Sequence, residues 1–195
     1  MPRLTPLFGL IASALAFAQG EPLPDLPDPL GRAGMMAAVL READGSEVIV
    51  AAGGTNFPDK PLWQGGQRKY HKDILKLARK DGSWGWRKVG ELPEGLVGAA
   101  FCPTPKRDAL IIAGGASAEG HRADVWSVGL DGKVARFAES MPRPRAYAGF
   151  AAANGHLIVI GGIARPDDTA AIATLTSLDL DDPDKPWRTT EADPS

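Results

Sequence analysis

The sequence has almost no cysteine and, after its first residues, no long hydrophobic run. Cys102 is the single cysteine among 195 residues, which excludes an intramolecular disulfide and a cysteine metal cluster. No apolar stretch reaches the roughly 20 residues that a membrane-spanning helix needs. The three histidines lack the spacing of metal ligands, so we expect no metal site.

Strong charge of one sign and nucleophile motifs are also missing. The chain carries 22 basic and 24 acidic residues, for a net charge of −2, and it has no basic stripe that would indicate a nucleic-acid partner. It contains no Gly-x-Ser-x-Gly elbow, and Cys102 has no evident histidine partner. We therefore expect Cys102 to be a buried apolar residue, and the catalytic residues stay unassigned.

The N-terminus has the pattern of an export signal. Arg3 is followed by a 12-residue apolar stretch from Leu7 to Ala18, which ends in a small-x-small site for cleavage after Ala18. Residues 1–18 are therefore predicted to be a signal peptide, and the mature protein is expected to be periplasmic or secreted, with no membrane attachment. Residues 19–31 are proline-rich and are predicted to form an extended linker or an edge strand.

Short apolar runs that end in a glycine pair are the dominant feature of the remaining chain. Each run has the length and composition of a strand buried on both faces, and the glycines permit a sharp turn at positive φ. Three such segments occur: Val48–Gly54, Leu110–Gly115 and Leu157–Gly162.

These runs belong to a repeat of about 50 residues. A small-residue strand precedes each run, a third strand follows it, and an aromatic residue stands 13 positions after the start of that third strand. The aromatics Trp86, Phe137 and Trp187 are 51 and 50 residues apart. Four strands at this period are typical of a kelch-type β-propeller blade. The prediction is an all-β protein with blades at about 32–88, 89–138 and 139–190, within a partial propeller over 32–190.

Three blades do not close a ring, because propellers usually have four to eight. We expect a six-bladed disc, of which this chain is a fragment. Further blades of a longer chain, or self-pairing of two copies, would complete it.

In a four-stranded meander, the loops after the glycine pairs lie at the same end of the sheets as the connectors between blades. We call this end the mouth. The loop of the first blade, from Asn56 to His71, is the longest of these, and long loops on a rigid scaffold often carry binding residues. The mouth collects the following polar candidates: Asp59, His71, Glu119, His121, Arg122, Arg143, Arg145, Arg165 and Asp167.

The segment GGTNFPDKPLWQGGQRKYHKDI (residues 53–74), the pattern W-x-K-V-G-E-L-P from Trp86 and the run LIIAGG from Leu110 resemble one known family. They are similar to the kelch-type sialic acid mutarotases (N-acetylneuraminate epimerases), in particular their cyclically permuted branch. The resemblance implies a periplasmic isomerase of carbohydrate metabolism that interconverts anomers of a sialic acid by acid–base ring opening, without a cofactor.

The resemblance transfers only the long loop as a wall of a sugar-acid site. It implies substrate-binding roles for Asn56, Phe57, Trp63, Lys69 and His71, and we add Arg122 from its place at the mouth. Mechanisms proposed for this family use an acid and an arginine in a loop after a glycine-containing strand, whereas Ala116 follows the glycine pair here. Two alternatives remain: a non-enzymatic kelch module that binds a glycan or a protein, and an inactive truncated fragment.

Overall fold

A computed structural model describes residues 21–191, and its regular structure is almost entirely β. The predicted signal peptide lies outside the described residues. Within residues 21–191, no helix has the length and apolar character needed to cross a membrane.

All paired strands are antiparallel, and they form three four-stranded sheets and two short ribbons. One 3₁₀ turn, Leu62–Gln64, interrupts the first long loop. The strands in chain order are β1 (Met36–Arg41), β2 (Glu47–Ala52), β3 (Thr55–Asn56), β4 (Lys69–Tyr70), β5 (Asp73–Lys80), β6 (Ser83–Glu91), β7 (Ala100–Pro103), β8 (Ala109–Ala113), β9 (Ala116–Ser117), β10 (Gly120–His121), β11 (Val125–Gly129), β12 (Val134–Ala138), β13 (Gly149–Ala153), β14 (His156–Ile160), β15 (Thr174–Asp179) and β16 (Arg188–Glu191).

Each large sheet is a meander whose strands neighbour one another in the order in which the chain supplies them. The sheets are β1-β2-β5-β6, β7-β8-β11-β12 and β13-β14-β15-β16, and the ribbons β3-β4 and β9-β10 extend the loops that follow the glycine pairs. The turn between β13 and β14 is the predicted Asn154-Gly155 hairpin, with φ values of 48° and 74° that match its left-handed requirement.

The apolar core lies between adjacent sheets, and β8 supplies both of its halves. Leu110 and Ile112 pack with β1 and β2 of the first sheet, whereas Ile111 faces β14 of the third sheet. This division follows from the two-residue period of a strand. Cys102 belongs to the second half of the core and is buried, as predicted.

The predicted burial on both faces is wrong for the third apolar run. Leu157 and Val159 of β14 are buried against the second sheet, but Ile160 is 47% exposed and Ile158 is only partly covered. The two faces differ because, within residues 21–191, only one side of the third sheet has a neighbouring sheet. β8, with a sheet on each side, has four consecutive buried residues.

The three aromatics of the repeat are not all equivalent. In the sheet register Trp86 lies opposite Leu77, and the residue at the same place in the second sheet is Val134, opposite Val128. The prediction that Phe137 occupies this place is therefore wrong.

Phe137 is the extra residue of a β-bulge, because Val125 and the next residue of β11 pair with positions 138 and 136. Val89 is the matching bulge residue of the first sheet. A bulge turns its extra side chain out of the regular alternation. Phe137 and Trp187 nevertheless both pack on the core between the second and third sheets, as an inter-blade filler should.

The proline-rich segment, described from residue 21 onwards, forms no strand but lies against the first sheet. The carbonyl of Pro24 accepts a 3.1 Å hydrogen bond from Trp86 Nε1. Trp187 Nε1 donates in the same way to the carbonyl of Glu139, which follows the outer strand of the second sheet. The proline-rich segment thus lies against the first sheet in the way that the end of the second sheet's outer strand lies against the third sheet.

Candidate functional site

The loops after the glycine pairs and the connectors between sheets meet at the mouth. Gly54 donates to the carbonyl of Leu96 at 2.8 Å, and Gly115 donates to that of Arg145 at 2.9 Å. Each connector is bonded in turn to the loop before it, since Arg145 donates to the carbonyl of Arg122 at 3.0 Å. These bonds repeat from sheet to sheet, so the polar loops are held at one end of the molecule.

Three equivalent backbone positions with positive φ mark the inner rim of the mouth. They are Gly34, Gly98 and Tyr147, with φ values of 64°, 63° and 57°. Gly98 donates to the carbonyl of Gly34 at 3.2 Å, and Tyr147 donates to that of Gly98 at 2.9 Å. A left-handed conformation costs a residue other than glycine about 1–2 kcal/mol. An aromatic residue in this position indicates a functional constraint.

An arginine and four aromatic rings form a cluster beside this rim. The guanidinium of Arg68 lies 5.6 Å from the ring centroid of Phe57 and 5.9 Å from that of Tyr70. Arg68 Nη1 donates to the Tyr147 hydroxyl at 3.2 Å. The ring of His121 meets that of Tyr147 nearly edge-on, with 5.9 Å between centroids. We call these five residues the Arg68 cluster.

The imidazole of His121 is anchored by a carbonyl oxygen. Its Nδ1 lies 3.1 Å from the carbonyl of Ile163. Because a carbonyl only accepts, Nδ1 carries the hydrogen in this contact, and Nε2 is left for another partner. The imidazole therefore has one ring nitrogen bonded to the fold and one without a hydrogen-bond partner among residues 21–191.

Arg122 lies next to the Arg68 cluster and holds two carboxylates. Its Nη2 donates to Glu94 at 2.6 Å and to Glu119 at 2.9 Å. These two partners raise the pKa of Arg122. Two carboxylates thus lie beside Arg122, one from an inter-blade connector and one from the tip of the loop, although Ala116 follows the glycine pair.

Asn56 and His71 face inward and hold the long loop to the first sheet. His71, which is 5% exposed, lies with Nε2 2.9 Å from Asn56 Oδ1. Asn56 Nδ2 donates to the carbonyl of Gly31 at 3.0 Å and to Asp28 at 3.2 Å. Burial lowers the pKa of His71, with Arg32 as the next contribution. Both side chains are therefore committed to internal contacts.

The other predicted site residues lie in different places. Phe57 belongs to the Arg68 cluster, whereas Trp63 is 84% exposed and lines an open groove with Phe57 and Leu30. The side chain of Lys69 is exposed on β4. The structure thus brings together Phe57 and Arg122 at the mouth and leaves Trp63 and Lys69 on the surface of the loop.

Arg68, Tyr70, Tyr147 and Glu94 were not predicted as site residues. Tyr147 carried a readable signal, because it stands where the other repeats have glycine. The remaining three depend on contacts between loops far apart in the chain. Among residues 21–191, no group of three or more histidine, cysteine, aspartate or glutamate side chains is arranged to hold a metal ion.

Comparison with known proteins supports the fold and indicates a relationship. No protein-family model matches the chain. N-acetylneuraminate epimerase 1 of Escherichia coli O6:H1 (strain CFT073) is 35% identical over 107 residues, which cover 50% of this chain and 26% of that protein. The solved structure titled "Structure of YjhT" matches with a TM-score of 0.68 at 15% identity, covering 89% of this chain and 55% of that one.

The likeness in structure confirms the predicted class: the chain has the all-β, kelch-type β-propeller fold. The chain is also similar in sequence to an N-acetylneuraminate epimerase, as the long loop indicated. It spans about a quarter of the length of that relative and about half of the solved structure. The six-bladed disc and the permuted order of its blades stay predictions.

Proposed function

We propose that this chain forms part of a sialic acid mutarotase, which interconverts the anomers of N-acetylneuraminate. The observation that carries the proposal is the 35% identity over 107 residues with an N-acetylneuraminate epimerase. We further propose that the protein is exported, through cleavage after Ala18, to the periplasm or the exterior. Released sialic acids would be met there.

The mouth supplies the side chains that this reaction requires. Ring opening of a hemiketal removes the proton of the anomeric hydroxyl and protonates the ring oxygen, and general acid–base groups accelerate such transfers by about 10²–10⁴-fold. Glu94 and Glu119 are carboxylates beside Arg122, and His121 presents a free ring nitrogen. In the proposal, a glutamate takes the proton of the anomeric hydroxyl, and His121, when its Nε2 is also protonated, donates that proton to the ring oxygen as the ring opens. Both transfers reverse when the ring closes on the other face.

Completion of the disc is part of the proposal. Ile160 is 47% exposed and Ile158 is partly covered, on the face of the third sheet that has no neighbouring sheet among residues 21–191. This apolar face resembles the faces that are buried between the other sheets. Further blades, or a second copy of the chain, would cover this face and close the mouth around a sugar.

The test is the exchange between α and β anomers of N-acetylneuraminate, followed by proton NMR with and without the full chain. We expect the double variant Glu94→Gln/Glu119→Gln to slow catalysed exchange by about 100-fold or more. The control is Asp131→Asn, an exposed carboxylate paired with Lys133 at the opposite end of the second sheet, which should leave the rate unchanged. Equal exchange with and without protein would refute the proposal. Saturable binding without faster exchange would instead support the non-enzymatic module.

A further inference from the structure

The arginines at the mouth differ in whether their charge is already neutralised. Arg122 holds two glutamates, and Arg165 pairs with Asp168. Arg145 is 2% exposed and donates to main-chain carbonyls and a threonine hydroxyl. Arg143, which is exposed, and Arg68 have no carboxylate partner among residues 21–191, and of these two only Arg68 is held by aromatic rings and a hydroxyl, in the Arg68 cluster. It is thus a cation available to an anionic ligand.

Arg68 is also held in place before any ligand arrives. Its guanidinium lies about equally far from the rings of Phe57 and Tyr70, and its Nη1 is fixed on Tyr147. A guanidinium has five N–H donors and accepts none, so most of its donors remain free. An arginine ordered by neighbouring aromatics loses less entropy when it binds a planar carboxylate.

The hydrogen bond to Arg68 determines where the Tyr147 hydroxyl points. Because the guanidinium only donates, the hydroxyl oxygen accepts, and its own hydrogen must be directed to another group. Tyr147 is half exposed, so this hydrogen is available at the mouth. The residue keeps a φ of 57° where the equivalent positions have glycine, which indicates that the tyrosine is retained for its side chain.

Arg68 and Tyr147 together match one pattern of ligand atoms. Free guanidinium donors lie next to a directed hydroxyl donor, and a sugar acid with its carboxylate on the anomeric carbon presents a carboxylate next to ring and anomeric oxygens. We infer that Arg68 binds the carboxylate of the sugar acid and that Tyr147 donates to the oxygen attached to the anomeric carbon. The inference rests on the proposed function for the identity of the sugar. It assigns the carboxylate to Arg68, whereas Arg122, which the sequence predicted to bind substrate, is already paired with two glutamates.

The experiment compares N-acetylneuraminate with its methyl ester, which differs by the loss of the negative charge. Dissociation constants are measured by NMR titration of the full chain. Wild type should bind the acid about tenfold to a hundredfold more tightly than the ester, as expected for a hydrogen bond between charged groups. Arg68→Met should reduce this preference to about one by weakening only the acid. The control Arg87→Met, an exposed arginine on β6, should keep it.

Tyr147→Phe should behave differently, because the hydroxyl contacts an oxygen that both ligands share. It should weaken acid and ester alike by about threefold to tenfold and leave most of the preference for the acid, because Arg68 loses its bond to the hydroxyl but keeps its contacts with Phe57 and Tyr70. Tyr147→Gly, the residue of the equivalent positions, should repeat this result without backbone strain. This variant excludes misfolding as the cause if its melting curve stays cooperative.

Three results would overturn the inference. One is a preference for the acid over the ester that persists in both Arg68→Met and Arg122→Met. Another is a preference for the acid that persists in Arg68→Met but disappears in Arg122→Met. The third is the absence of saturable binding of the acid to wild type. Failure of the proposed function has a separate signature, namely an acid preference that depends on Arg68 in a protein that does not accelerate anomer exchange.

Discussion

The glycine pairs provide a test of how closely successive blades approach, because two equivalent glycines have the same backbone conformation and different surroundings. Gly114 and Gly161, the first members of their pairs, both have φ of 68°. A Cβ on Gly114 would lie 2.4 Å from the carbonyl oxygen of Arg145 in the next connector. At Gly161, no atom of the described residues lies within 4 Å of the added carbon. We compare the substitutions Gly114→Ala and Gly161→Ala.

The two substitutions share one cost and differ in another. Alanine at a left-handed φ loses about 1–2 kcal/mol at either position. At Gly114 the connector must also move, and forced displacement in a packed region costs about 1–3 kcal/mol. The displaced carbonyl is the acceptor for Gly115 N–H, a hydrogen bond worth about 0.5–1.5 kcal/mol. Gly114→Ala should therefore destabilise the fold by about 2–4 kcal/mol more than Gly161→Ala.

Urea unfolding of the full chain, followed by tryptophan fluorescence, measures this difference. The slope of free energy against urea should be the same in both variants, so that the midpoints report stability alone. Gly53→Ala is an independent repeat, because its added carbon would lie 2.4 Å from the carbonyl of Leu96. Equal losses for Gly114→Ala and Gly161→Ala would refute the reasoning that the glycines are needed for contact between blades.

Three further predictions concern single side chains. Burial lowers the pKa of His71 in the folded chain, so the unfolded chain binds the proton first as the pH falls. The free energy of unfolding should therefore decrease below about pH 6.5, and the urea midpoints at pH 7 and pH 5 should differ less for His71→Gln than for wild type. Trp187→Ala should cost about 2–3 kcal/mol in unfolding free energy, whereas Trp63→Ala at an exposed site should stay within about 0.5. Burial raises the pKa of Cys102 to about 11, so a thiol reagent at pH 8 should modify it only in urea.

Each of these predictions has an outcome that contradicts it. An unchanged pH dependence in His71→Gln would mean that the pKa of His71 is the same in the folded and the unfolded chain. Similar losses for the two tryptophans would contradict the contact of Trp187 with the core between sheets. Rapid modification of Cys102 without urea would show that β7 opens locally.

The strand pattern was accessible from the sequence because it depends on local rules. Runs such as Leu110–Ala113 contain only residues that suit a buried strand, and the glycines that follow them permit the turn. The repeat spacing then implied four strands per unit, and the structure has them. The spacing was wrong for Phe137, because the second sheet has a shorter hairpin: Leu77 pairs with a residue 9 positions later, whereas Val128 pairs with one 6 positions later. The thirteenth position therefore falls on the bulge of β12, and a residue count cannot detect this difference.

The site was less accessible, because its contacts join residues that are distant in the chain. Arg68 and Tyr147 are 79 residues apart, and their hydrogen bond exists only because two blades pack side by side. Arg122 was predicted to bind substrate from its place at the mouth, but Glu94, 28 residues away, neutralises it together with Glu119. His71 was chosen as a ligand-binding residue, but the fold buries it against Asn56.

The sequence alone therefore determined the class of fold, since strand composition, turn glycines and repeat length are properties of neighbouring residues. It also indicated which loops gather at the mouth, because a meander fixes the end of the sheet at which each loop lies. The tertiary structure alone decided which side chains keep a free charge or a free hydroxyl there. The physical reason is that pairing and burial depend on the relative placement of separate blades.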